Sequence, residues 1–101
     1  MLGDRVGVYV PAPGEYGGEF AEEPVVVENV CVEPAEAMRQ RQFTVGDGIT
    51  AVMFMDADNS PNAFDLPIGS LVEWEGERMQ VVKVLPLRVG GELHHWEVWL
   101  S

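Results

Sequence analysis

Apolar side chains recur at every second position through several stretches of this chain. From Arg5 to Pro11 they are Val6, Val8 and Val10, with Arg5, Gly7 and Tyr9 between them, the period of a half-buried strand. Val25 to Glu33 is rich in β-branched residues and predicts a second strand, closed by Pro34, which cannot continue a sheet interior. These two strands are expected to pair. Ile49 to Met55 is apolar on both faces and predicts a third strand buried on both sides. Ile68 to Trp74, Met79 to Leu85 and Leu93 to Leu100 supply three more. Glu75-Gly76-Glu77 and Val89-Gly90-Gly91 have the glycines that tight hairpins need, so the last third predicts a three-stranded meander.

Between these strands the composition changes. Pro11 to Phe20 holds two prolines and three glycines and reads as a connection. Ala35 to Gln42 favours helix by propensity but spans about two turns, marginal without tertiary support, so a short helix and an extended loop stay open. Asp56 to Asp65 is a polar loop. Six short strands, glycine-rich turns and at most one short helix predict a mostly β fold, a small antiparallel barrel or sandwich. A chain of 101 residues leaves room for one core, so residues 1–101 are expected to form a single domain. Alternation assigns that core to Val6, Val8, Val27, Cys31, Val52, Phe54, Leu71, Val82, Val84, Trp96 and Val98, and a one-residue slip would turn any strand's set outward.

Charge narrows the partners. Seventeen acids against six bases give a formal net charge of −11. The acids are spread along the chain, eight of them up to Gln42 and nine beyond it. Nucleic-acid grooves gain affinity through Lys and Arg, and anionic lipid attracts the same residues, so both are poor partners here. Cys31 is the only cysteine, which rules out a disulfide within the chain and favours a buried, inert thiol. No apolar run nears the ~18 residues of a membrane span, and the start of the chain does not resemble a signal peptide, so a cytoplasmic setting is expected.

Candidate chemistry is sparse. Asp56-Ala-Asp-Asn-Ser resembles the opening of a calcium loop, but Pro61 stands where such loops need glycine and Pro67 where they need the bidentate glutamate. A solvated turn is the better reading. His94 and His95 are adjacent in a strand and are expected to point to opposite faces, His94 at the core rim on a backbone group, so they should not share a metal. No nucleophile motif, phosphate loop or nucleotide fingerprint is present, and neither an enzyme nor a cofactor is expected. Interface candidates remain. Tyr16 and Phe20 would fold onto the core rim or meet a neighbour, and Trp99 lies on the more polar face of its strand. Met38, Arg39, Arg41, Phe43 and Phe64 lie in segments expected to order on assembly, where the two arginines could pair a neighbour's carboxylates.

The run Leu66-Pro-Ile-Gly-Ser-Leu-Val-Glu-Trp-Glu-Gly-Glu-Arg-Met-Gln-Val-Val-Lys-Val, followed by His94-His-Trp-Glu-Val, resembles the minor capsid proteins of tailed bacteriophages and prophages. The likeness is clearest from Gly46 to Leu100, with an echo at Val30-Cys-Val-Glu-Pro-Ala-Glu-Ala-Met-Arg. It implies a head-tail connector subunit of the stopper or head-closure kind. Such a subunit is a non-enzymatic β-barrel repeated in a ring at the virion neck, between portal or adaptor and tail proteins, with DNA passing nearby and assembly in the host cytoplasm. The resemblance carries no catalytic residue, cofactor or metal with it. Two other classes fit the residues less well. A monomeric adaptor domain would show no affinity for connector rings, and a small-barrel hydrolase or lyase would need a deep pocket with two acids and a histidine.

Overall fold

A computed structural model describes residues 3–11, 20–40 and 48–101. Among them run β1 (Asp4–Tyr9), β2 (Val25–Pro34), a short helix α1 (Ala35–Gln40), β3 (Ala51–Asp56), β4 (Leu71–Trp74), β5 (Glu77–Val89) and β6 (Glu92–Leu100). The strands close into an antiparallel barrel in the order β1-β2-β3-β6-β5-β4, with β4 returning to β1. Sandwich and barrel were both open from the sequence, and the barrel is what forms. Both meander turns have two central residues at positive φ, Glu75 with Gly76 and Gly90 with Gly91. That conformation matches the right-handed twist of the strands on either side.

The barrel interior is filled by Val6 and Val8 of β1, Val27, Val30 and Val32 of β2, Met53 and Met55 of β3, Val72 of β4, Met79 and Val81 of β5, and Trp96, Val98 and Leu100 of β6. Of the expected core, Val6, Val8, Val27, Trp96 and Val98 are in this cluster, and Val84 packs partly against it. Val52 is buried as expected, though on the other face of its strand, and the remaining expectations fail for identifiable reasons. Asp4 pairs with Val30 and Arg5 with Glu28, so Asn29 is an extra residue in β2, at φ 55°. Such a bulge shifts the alternation by one position. Val30 and Val32 therefore point inward, and Cys31 is left half-buried on the other face.

A second bulge does the same in β5. Val81 pairs with Leu100 and Lys83 with Trp99, which leaves Val82 unpaired and exposed. In β3 the phase is opposite to the expected one, so Met53 and Met55 enter the core and Phe54 is half-buried. Val52 is fully buried on the opposite face of β3, the face it shares with its pairing partner Trp99. Helix α1 lies against β2 and β3 and buries Ala35 and Met38. In β4, Val72 takes the core position expected for Leu71.

The loop after β3 is tied to itself and to β2 by hydrogen bonds. Asp56 Oδ1 accepts hydrogen bonds from the amides of Asp58 (2.8 Å) and Asn59 (3.0 Å), and these bonds hold its carboxyl below the usual carboxylate range. Ser60 Oγ accepts from the Asp56 amide and donates to the carbonyl of Asn29, so the loop is fastened to the β2 bulge. Asn29 Nδ2 and Asn62 Nδ2 donate to the carbonyls of Asn59 and Val26, adding two further ties. Beyond these, Trp96 Nε1 donates to Asp65, and Leu66 joins the core.

Two outcomes test this register. Met53→Ala should destabilise the chain by about 2–5 kcal/mol through lost transfer energy and an unfilled cavity, whereas Val82→Ala should change stability by less than about 0.5 kcal/mol. Urea denaturation of both variants measures the contrast, and a costly Val82→Ala would mean that the bulge is misplaced. Asp56→Ala should lower stability at neutral pH. Because the native carboxyl titrates below its unfolded value near ~4, its contribution is complete above that pH and is lost as pH falls through the native pKa. Wild type and variant should therefore converge in acid, and a difference that persists unchanged below the native pKa would contradict the capping role.

Candidate interaction surfaces

Strand geometry spreads the candidate chemistry-bearing side chains over separate parts of the barrel. The Asp56 carboxylate, the first candidate calcium ligand, is already engaged by the amides of its own loop. Cys31 Sγ lies 3.9 Å from Glu33 Oε1 on the outer side of β2. Among the described residues no three His, Cys, Asp or Glu side chains are grouped to hold a metal ion. No helix of the described residues is long and apolar enough to cross a membrane.

The two histidines depart from their expected places. Leu87 pairs with His95 and Arg88 with Leu93, so His94 is the extra residue of a third bulge. The bulge cancels the simple alternation that would set the two rings on opposite faces. Their Nδ1 atoms stand 2.8 Å apart, with the rings edge to face. One nitrogen must donate and the other accept. His94 is exposed rather than tucked at the core rim.

The expected interface residues also divide. Tyr16, Arg41 and Phe43 lie outside the described residues. Phe20 is half-buried and bridges to Pro11. Met38 is only 3 % exposed, so it packs within its own subunit and is not available to a neighbour. Arg39, in the last turn of α1, is exposed. Phe64 packs against the core and is half-buried. Trp99 stands on the barrel's outer wall, where Lys83 Nζ sits 4.9 Å from its ring and its Nε1 donates to Glu97. A cation over an exposed ring contributes about 0.5–1 kcal/mol.

One surface escaped the sequence reading. Pairing of β4 with β5 ends at Leu71 and Gln80, and pairing of β3 with β6 ends at Asp56 and His95. Past those points β5 and β6 continue as a two-stranded arm that turns at Gly90-Gly91. Strand β5 has 13 residues, or about 43 Å at 3.3 Å each, comparable to the molecule's greatest extent of 41 Å. Leu87 and Val89 are exposed there, and Ile68 and Val82 are exposed on or beside the same strand. Part of the signal was in the sequence, because apolar residues alternate through Leu85, Leu87 and Val89, but Pro86 stands directly after the expected strand end and reads as a breaker.

Most basic side chains are used locally. Arg5 lies 4.0 Å from Glu28, and Arg78 bonds Glu73 at 3.0 Å while covering the Tyr9 ring. These exposed pairs contribute little to stability but occupy the cations. Arg88, on the arm, has no ion pair, ring contact or hydrogen bond among the described residues.

The arrangement is that of a packed barrel with an arm that has no neighbour among the described residues, a shape suited to contact with another macromolecule. No curated protein matches the chain. The profile of a family described as minor capsid protein matches residues 7–100, which takes in every strand of the barrel and the whole arm. On that match the chain belongs to the phage minor capsid protein family and is a structural protein of the virion.

Proposed function

We propose that this chain is a head-tail connector subunit, repeated in a ring that joins portal or adaptor to tail and borders the DNA channel. The observation that carries the reading is a closed barrel with an acidic surface whose one long extension presents apolar side chains to solvent. Membership of the family supplies the virion setting. A net charge of −11 suits a conduit, since like charge keeps a polyanion from adhering to its wall. The same charge makes adjacent copies repel, so contacts must come from apolar patches and a few well-placed cations. Arg39 is one, exposed on a helix whose buried face is held by Ala35 and Met38, and Arg41 follows it in sequence.

Deletion of the gene in a phage or inducible prophage should yield DNA-filled heads without tails, counted by electron microscopy of lysates. Normal tailed particles would refute the connector role, and empty or malformed heads would point to the shell instead. Replacing Arg39 and Arg41 together by Glu should leave the thermal midpoint within a few degrees, because exposed charges contribute little to stability. Tail joining should fall with it. Normal particle yields from that double variant would remove the arginines from the interface.

A further inference from the structure

We propose that the β5–β6 arm is the element by which one copy grips the next, laid against the acidic barrel wall of a second copy of this chain. The proposal rests on the connector reading, in which copies stand side by side. From Lys83 to Val89 the outer edge of β5 has no strand beside it among the described residues. The last backbone bonds on that side join Gly69 and Ser70 to Val81. An open edge of this length offers carbonyls and, except at Pro86, amides to another chain. Of the five large apolar side chains exposed in the described residues, four are on or beside β5: Ile68, Val82, Leu87 and Val89. Val89 is 65 % exposed at the arm's tip, an arrangement that leaves apolar surface in water unless something covers it.

Charge selects the occupant. Arg88 has no partner among the described residues, in a chain that has eleven more acids than bases, so another copy's wall presents carboxylates it can pair with. The exposed side chains of Glu75 and Glu77, at the β4–β5 hairpin, make no hydrogen bond or ion pair among the described residues. Arm and wall are different surfaces, so the contact is heterologous. It can repeat from copy to copy and close into a ring.

The test is photo-crosslinking in assembled virions, with p-benzoylphenylalanine placed at Val89 and, in a second strain, at Glu92 on the other strand of the arm. Both positions are exposed, so the barrel tolerates the probe. Light should produce a species of twice the chain's mass, whose cross-linked peptide comes from the barrel of another copy. Arg88→Glu in the same background should reduce its yield about tenfold or more, because charge reversal at a contact that excludes water replaces an attraction by a repulsion. A chain present in virions but cross-linked to a different protein, or at neither position, overturns the contact alone. Absence of the chain from purified virions overturns the connector reading and the contact with it.

Discussion

Gly7 with Glu73, Val8 with Val72 and Tyr9 with Leu71 are the pairs through which β1 and β4 close the sheet on itself. Without them a six-stranded sheet would present two open edges along its length and a one-sided core. The closing strand is only Leu71–Trp74, so there is little slack in its register. Closure also draws the segment before β2 close. A Cβ on Gly7 would lie 3.2 Å from the Pro24 ring, tighter than ordinary packing, so the absence of a side chain there lets the two backbones approach. Glycine in a strand often marks such an approach.

Closure sets a condition on every other strand: each must present one face to a single shared interior. Ideal alternation does not satisfy it along strands as long as β2, β5 and β6, and the extra residues Asn29, Val82 and His94 reset the phase where needed. Each bulge has a second use. Asn29 anchors the Asp56–Asn62 loop, Val82 marks where β5 loses its outer neighbour, and His94 brings its ring onto His95. A mismatch of strand lengths then follows. With four residues in β4 against thirteen in β5, the far part of β5 has no strand on its outer side among the described residues, and the arm results.

Electrostatics adds to this. A surface so acidic resists crowding of copies, a constraint that the proposed ring has to meet. Arg5, Arg78 and Lys83 are bound to local acids or rings, which leaves few cations for neighbours. In the proposed ring, affinity between copies would come chiefly from apolar contact, with charge setting orientation. The exposed apolar side chains are concentrated along β5 rather than scattered, as that division of labour requires.

By itself the sequence determined the strand content, the two glycine hairpins, the pairing of β1 with β2, the acidic surface and, through the Leu66–Val84 run, the family. These are local or compositional properties: period-two alternation, positive φ at Gly76 and Gly90, and a count of charges. Tertiary structure alone decided which face of each strand is inside, because barrel closure and the bulges reset the phase in ways no single strand encodes. That is why Cys31, Phe54, Leu71 and Val82 left the core and Val30, Met53, Met55 and Val72 entered it. The same holds for the candidate surface. Met38 became packing because α1 docks on β2 and β3, Phe64 because its loop is tied to Asn29, and the arm exists because β4 is shorter than its partner. Burial and exposure depend on what lies across from a residue, and that is known only when the chain has closed.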